Sequence, residues 1–134
     1  MLRYFVDSWF FIALLDSADS HHSLAVRLSQ RIHGAALVTH DAVLTEVLAF
    51  FSDEGTQIRT TAATAVRRAL SRFNVLPADR ALFLRALDRY ERRPDKDYSL
   101  VDCMSMVVME EHQIQHVLTS DHHFAQAGFV VVSE

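Results

Sequence analysis

The hydrophobic residues of this chain fall into short continuous runs that alternate with longer stretches of helical periodicity. The runs read LRYFV, AALVT, NVLPA, HVLTS and FVVV, and the stretches between them repeat apolar residues every three or four positions. Such runs are typical of parallel strands covered on both faces by helices. The pattern predicts an α/β fold with a short central parallel sheet of about four to five strands, flanked by helices. NVLPA is predicted to be a short edge strand that ends at Pro77.

Capping residues place the boundaries of the predicted helices. Asp7 and Ser8 form a helix-start pair, and Gly34 follows the second helix as a C-terminal glycine. Asp41 is the expected cap of the helix that contains Glu46. The other helices are predicted over residues 8–17, 22–33, 56–73, 79–92, 100–112 and 121–128.

Length and composition indicate one soluble domain. The chain has 134 residues, half of them hydrophobic, so residues 1–134 are expected to form a single domain with its own core. The single Cys103 excludes an internal disulfide and fits a reducing compartment. Asp7 interrupts the apolar N-terminal run, which is shorter than the ~20 residues that span a bilayer. We therefore expect a cytoplasmic protein without membrane association.

Glu46 stands inside the apolar stretch VLTEVLAFF. On a helix, its neighbours three and four residues away are all apolar: Ala42, Val43, Ala49 and Phe50. The carboxylate is therefore expected on or beside the buried face, where an unpaired polar group costs about 2–7 kcal/mol. A bound cation is the simplest compensation.

Three aspartates are expected at one edge of the sheet. Asp7 follows LRYFV, Asp121 follows HVLTS, and Asp102 lies in the first turn of its helix. In parallel sheets, ligands bind at the edge where the strands end. Each aspartate alone is explained as a helix cap worth about 1 kcal/mol. Together with Glu46 they would repel one another unless a divalent cation lay among them, and oxygen ligands favour Mg²⁺ or Mn²⁺ over zinc.

The stretches FVDSWFFIALLD, TEVLAFF, DYSLVDCMSM and LTSDHHFAQAGF resemble, in order and spacing, the four acidic blocks of PIN-domain proteins, in particular the VapC-type ribonuclease toxins. The resemblance covers nearly the whole chain, from Phe5 to Phe129. It implies a PIN-like three-layer α/β/α fold and metal-dependent cleavage of RNA. It also implies a homodimer and a small VapB-like antitoxin as partner. The implied acidic quartet is Asp7, Glu46, Asp102 and Asp121.

The expected roles differ among these residues. Asp7 and Asp102 are the preferred direct ligands of Mg²⁺ or Mn²⁺, and Asp121 shares a second ion or a metal-bound water. Whether Glu46 is a ligand or a base, and whether one ion or two are bound, stays open. The hydroxyls expected to orient carboxylates or waters are those of Ser8, Ser99, Thr119 and Ser120, with Ser120 implied by the resemblance.

Charge is distributed unevenly along the chain. The net charge is −4, but ten of the 13 basic residues lie between Arg59 and Lys96 with four acids, so this segment carries +6 and the remainder −10. RNA binding normally requires clustered basic residues, because they neutralise phosphates. The expected substrate-binding residues are Arg67, Arg68, Arg72 and His122. The alternative is that the arginines only form the solvated faces of two helices; these are Arg67, Arg68, Arg72, Arg85, Arg89 and Arg92.

Three other readings are weaker. His112 and His116 have helical spacing but lie where a helix should end, which disfavours a zinc site. A Mg²⁺ phosphatase or phospho-acceptor domain would need another acid near Asp7 and a lysine near the last strands, and Lys96 is the sole lysine. A non-cleaving PIN-like domain that binds RNA or protein would be expected to lose part of the acidic quartet. All four acids are present, which favours catalysis.

Overall fold

A computed structural model describes residues 2–133, which form five strands and seven helices. The strands are β1 (Arg3–Val6), β2 (Ala36–His40), β3 (Asn74–Leu76), β4 (His116–Leu118) and β5 (Val130–Val131). The helices are α1 (Ser8–Leu15), α2 (His22–Arg31), α3 (Asp41–Phe50), α4 (Thr56–Arg72), α5 (Arg80–Arg92), α6 (Leu100–Glu111) and α7 (His122–Gln126).

The strands form one parallel sheet in the order β3-β2-β1-β4-β5. In the central strand β1, Val6 is in register with Leu118 of β4, and Phe5 with Val38 of β2. The ends of β1, β2 and β4 therefore lie side by side at what we call the carboxyl edge. This arrangement confirms the predicted α/β fold with a parallel sheet flanked by helices. NVLPA supplies β3, which lies at the edge of the sheet as predicted.

The sheet lies in the middle of the core. Phe5 and Val6 of β1, like Val117 and Leu118 of β4, have no exposed surface. Residues 103–109 of α6 are buried without a break, so this helix is covered all round rather than on one stripe. Because β1 and α6 are held so firmly, side chains that leave their ends have fixed positions.

The start of α3 differs from the expectation that Asp41 caps it. β2 continues to His40, so Asp41 is the first residue of the helix rather than its cap. The Asp41 carboxylate instead accepts a hydrogen bond of 3.3 Å from the Ala78 backbone N–H, which follows β3. The expected cap is therefore wrong by one residue, and the aspartate joins the ends of two strands.

Two smaller findings bear on the other expectations. α2 ends at Arg31, and Gly34 follows with the positive φ of 85° that a glycine adopts readily. Among residues 2–133, no helix combines the length and the hydrophobicity that crossing a membrane requires.

Candidate active site

Asp7 leaves β1 at the centre of the carboxyl edge. Its side chain is buried, with 7% exposed, and its Oδ2 accepts a hydrogen bond of 2.7 Å from the Thr119 hydroxyl. Asp7 occupies the N-cap position of α1, yet its carboxylate makes no capping hydrogen bond to that helix. The helix cap that would explain Asp7 alone is therefore absent, and the carboxylate is available for other chemistry.

Burial sets the protonation of Asp7. It raises the pKa of this carboxyl from 3.8 to about 6, against the hydrogen bonds from the Thr119 hydroxyl and the Ser8 backbone, which lower it. The negative charges of Asp102 and Glu46 raise it further. The structure thus brings Asp7, Glu46 and Asp102 near enough for their charges to act on one another.

Two threonines hold the end of β1 in place. Thr39 donates a 2.8 Å hydrogen bond to the Val6 carbonyl, and Thr119 bonds the Asp7 carboxylate from the opposite side of β1. Both threonines are buried. Thr119 was among the predicted supporting hydroxyls, whereas Thr39 was not. Thr39 could have been identified by its position, because it is the penultimate residue of β2, the strand beside β1.

Glu46 lies on α3 at the border between core and solvent. Of its apolar neighbours on the helix, Val43 is fully buried, but Ala49 is exposed and Phe50 is 49% exposed. The apolar surroundings expected for Glu46 are therefore buried on one side only. Glu46 itself is half-buried. The burial raises the pKa of this carboxyl, a hydrogen bond from the Ser8 side chain lowers it, and the charge of Asp102 raises it. Ser8 therefore lies beside Glu46, at the carboxyl edge where it was expected.

Asp102 and Asp121 are bound to the starts of their helices. Asp102 forms a capping box with Ser99: its Oδ2 accepts from the Ser99 backbone N–H, and the Ser99 hydroxyl accepts from the Asp102 backbone N–H, both at 3.0 Å. Asp121 Oδ1 accepts a 2.9 Å bond from the backbone N–H of His123, which caps α7. These hydrogen bonds fix both carboxylates at the carboxyl edge.

His123 lies between these two carboxylates. Its Nδ1 is 3.4 Å from Asp102 Oδ2 and 3.1 Å from Asp121 Oδ1. One potential ligand atom from each of the three residues lies within 4.8 Å of the others, close enough for a shared metal ion. Asp102 is thus common to two groups, one with Asp7 and Glu46 and one with Asp121 and His123. We call these five residues the acidic site.

Both His122 and His123 adjoin Asp121 in the sequence, and His122 is the expected substrate-binding residue. The His122 side chain is 76% exposed, and its Nδ1 lies 4.0 Å from Asp121 Oδ1. A sequence signal was present: the residue four positions after His123 is the apolar Ala127, whereas the residue four positions after His122 is the polar Gln126. Helical spacing therefore places His123 on the inner side of α7. Whether His122 contacts RNA stays a prediction.

Ser120 does not contact the acids. Its side chain is exposed, and within residues 2–133 it makes no hydrogen bond to a carboxylate. The neighbouring Thr119 bonds Asp7 in its place and also accepts a 3.1 Å bond from the Asp121 backbone N–H. Ser120 lies beyond the end of β4 at Leu118, in the exposed connection that leads to α7.

The arginines of α4 lie outside the acidic site. Arg67, Arg68 and Arg72 are exposed, and none of the hydrogen bonds or ion pairs within the described residues joins them to its carboxylates. Arg72 lines a cavity of about 460 Å³ together with Ala36 and Asn74, which begin β2 and β3. Arg72 therefore lies near the amino ends of the strands, opposite the carboxyl edge where Asp7 lies.

Two other basic side chains are engaged within the fold. Arg85 of α5 makes two hydrogen bonds to Glu111, of 2.6 and 2.9 Å, and Arg89 pairs with Glu110 at 2.5 Å. These pairs join α5 to the end of α6. Part of the basic middle segment is thus neutralised within the protein.

Comparisons with known proteins agree with this fold. The PIN domain family matches residues 4–130. The chain is 32% identical over 129 residues to the 23S rRNA-specific endonuclease VapC20 of Mycobacterium tuberculosis, and the match covers 96% of each chain. The crystal structure of M. tuberculosis VapC20, a toxin that cleaves the sarcin-ricin loop, has a TM-score of 0.87 at 30% identity and covers 98% of this chain and 99% of that chain.

Two more distant structures share the fold. FitAcB from Neisseria gonorrhoeae has a TM-score of 0.72 at 14% identity, covering 97% of this chain and 96% of that chain. VapBC2 from Rickettsia felis, bound to a DNA fragment from its promoter, has a TM-score of 0.69 at 9% identity, with 98% of both chains covered. At these identities the similarity concerns the fold alone.

Proposed function

The chain belongs to the PIN-domain family, and we propose that it is a divalent-metal-dependent endoribonuclease of the VapC type. The observation that carries this proposal is Asp7: a buried carboxylate, oriented by Thr119, that caps no helix and lies beside two other acids. Like charges that lie close together repel one another and destabilise the folded protein. A domain that only bound RNA would carry this cost without a catalytic benefit.

The proposed ligands are Asp7, Asp102 and Asp121, with Mg²⁺ as the expected ion and Mn²⁺ as an accepted one. Three carboxylates at the end of a parallel sheet offer the oxygen donors that these ions prefer. A bound ion would supply an activated water and a Lewis acid for hydrolysis of a phosphodiester bond. Around it, Thr119 and Ser99 fix the orientation of Asp7 and Asp102 by hydrogen bonds.

Glu46 acts as the general base in this proposal. Burial raises the pKa of its carboxyl, so it accepts a proton more readily than an exposed glutamate does. The Ser8 side chain, which hydrogen-bonds Glu46, holds it on the side of α3 that faces Asp102. Ser120, which is exposed, would then contact the substrate or its water rather than an acid.

RNA is the proposed substrate, and a structured loop of 23S rRNA is the first one to test, because VapC20 is named for this activity. The acidic site repels phosphates by itself, so the exposed arginines Arg67, Arg68 and Arg72 and the exposed His122 would supply attraction. Arg72 would contact RNA that extends well beyond the scissile bond.

A VapB-like antitoxin and a second copy of the chain are the proposed protein partners. Exposed apolar side chains on α3 and α5, among them Phe50, Leu84 and Tyr90, offer area for such contacts. The antitoxin's inhibitory tail is proposed to bring an Arg or Lys into the acidic site, where a cation pairs with the carboxylates in place of the metal. A structure of the complex without a basic side chain there would contradict this.

The test is cleavage of 23S rRNA and of a mixed pool of structured RNAs with Mg²⁺, with Mn²⁺ and with chelator. Asp7→Asn is the test variant, and Asp53→Asn, an exposed acid in the turn after α3, is its matched control. We expect metal-dependent cleavage by the wild type and by Asp53→Asn, and none by Asp7→Asn. Cleavage that survives chelation, or that Asp7→Asn retains, contradicts the proposal.

A further inference from the structure

We propose that His123 is a direct ligand of the divalent cation and that its imidazole nitrogen shifts the preference of the acidic site from Mg²⁺ toward Mn²⁺. This inference rests on the proposed function, because it concerns the same metal site. It adds a nitrogen ligand to a site that the sequence described with oxygen ligands alone.

The distances between the donor atoms fit a shared ion. His123 Nδ1 lies 3.1 Å from Asp121 Oδ1 and 3.4 Å from Asp102 Oδ2, and the three residues offer ligand atoms within 4.8 Å of one another. Two ligands bound about 2.1 Å from an octahedral ion, at right angles to each other, are about 3.0 Å apart. The observed separations are close to this value.

Hydrogen bonding does not account for the position of the ring. The Nδ1 atom is buried and, although close to two carboxylate oxygens, is aligned for a hydrogen bond with no group in the described chain. Both oxygens already accept backbone N–H groups, from Ser99 and from His123 itself. Within the described chain the nitrogen therefore has only ion-pair distances to the two carboxylates, and a cation bound among the three groups would give it a directional bond.

The ring is held in this orientation by its neighbours. Tyr98, which is 4% exposed, packs edge-on against His123 with ring centroids 5.3 Å apart and an interplanar angle of 72°. The His123 side chain is 17% exposed, compared with 76% for His122. The nitrogen is therefore positioned before any ion arrives, as a metal ligand requires.

The chemical consequence is metal selectivity. Mg²⁺ binds oxygen ligands and keeps its waters, whereas first-row transition metals bind imidazole well. One nitrogen among carboxylates would thus stabilise Mn²⁺ more than Mg²⁺. The competing explanation is that His123 only links α6 to α7 as an ion pair with the two aspartates, in which case it would not touch the ion.

The test measures the nitrogen itself. Mn²⁺ bound to the full chain is examined by electron spin echo spectroscopy, which detects a directly coordinated ¹⁴N nucleus, in the wild type, His123→Gln and the adjacent control His122→Gln. We expect the ¹⁴N signal in the wild type and in His122→Gln and its loss in His123→Gln. By calorimetry, Mn²⁺ affinity should fall about tenfold or more in His123→Gln, and Mg²⁺ affinity much less.

A second variant covers the case in which His123→Gln does not fold. His123→Glu offers an oxygen ligand of similar reach, so it should bind metal without a ¹⁴N signal and prefer Mg²⁺ more than the wild type does. Mn²⁺ bound to the wild type without a ¹⁴N signal, or with a signal that His123→Gln retains, overturns this inference alone. Failure of the wild type to bind Mn²⁺ overturns the proposed function as well.

Discussion

At the residue scale, Asp7 shows how the site opposes the stability of the fold. Its pKa is raised from 3.8 to about 6 by burial, so at neutral pH the folded protein holds a charge that the unfolded chain would hydrate better. This difference corresponds to about 3 kcal/mol of unfolding free energy at neutral pH, in the absence of metal.

Asp7→Asn is therefore expected to abolish cleavage and to stabilise the metal-free protein by about 2–3 kcal/mol at neutral pH. Asn keeps an oxygen for the Thr119 hydroxyl and carries no charge. Urea unfolding in the presence of chelator measures the effect. Below about pH 4 the gain should disappear, because the aspartate is then protonated in both states. An Asn variant less stable than the wild type at neutral pH contradicts this account.

His40 has the opposite dependence on pH. It has no exposed surface, bonds Ser105 through Nε2 at 2.9 Å, and burial lowers its pKa from 6.5 to about 4. Between about pH 6.5 and 4 the unfolded chain binds a proton that the folded chain does not, so acidification favours unfolding. For Asp7 acidification from about pH 6 to 4 favours folding, since there the folded state binds the extra proton.

The two effects should offset each other in the wild type. In Asp7→Asn the contribution of His40 is opposed by Glu46 but no longer by Asp7, so this variant should lose more unfolding free energy between neutral pH and about pH 4 than the wild type does. Urea unfolding across this pH range measures both slopes. Equal slopes for the two proteins would show that one of the two groups does not titrate as described.

At the element scale, the capping box of α6 serves both the helix and the site. Ser99→Ala removes the hydroxyl that accepts from the Asp102 backbone N–H, which should cost about 1 kcal/mol of stability. It also loosens Asp102, so we expect a several-fold higher metal concentration for half-maximal cleavage. Asp79→Ala is the matched control, because Asp79 caps α5 through Leu82 and lies outside the acidic site. Equal metal requirements in the two variants would contradict a role of the cap in the site.

The strands and helices were largely predictable because each is a local pattern. Apolar runs ended at Asp7, Thr119 and Pro77, and the chain indeed leaves the sheet near these residues. Asp41 was misassigned because the length of β2 depends on pairing with its neighbours rather than on local sequence. The convergence of the acids was predictable from topology. His123 was not assigned to the metal site, because its sequence signal spans only the short helix α7 and its packing partner Tyr98 is distant in the sequence.

At the scale of the whole molecule, the question is how an acidic site attracts RNA. The exposed arginines of α4 are the proposed source, whereas Arg85 is engaged with Glu111. The double variant Arg67→Gln/Arg68→Gln should raise KM for RNA several-fold, leave kcat nearly unchanged and lower the salt dependence of binding. Arg85→Gln should change KM little and stability by less than about 1 kcal/mol, because its ion pair is exposed. Equal effects of the two variants on KM would argue against α4 as the RNA-binding helix.

The central claim is that the carboxylates at the carboxyl edge hold a divalent ion that acts in RNA cleavage. It is tested most directly by titrating Mn²⁺ into the wild type, Asp7→Asn and Asp102→Asn while measuring bound Mn²⁺ by electron paramagnetic resonance and cleavage of RNA in the same samples. The account predicts that binding and cleavage rise together in the wild type and that both weaken together in the two variants. Cleavage that saturates without bound Mn²⁺, or Mn²⁺ binding that both variants retain unchanged, would contradict it.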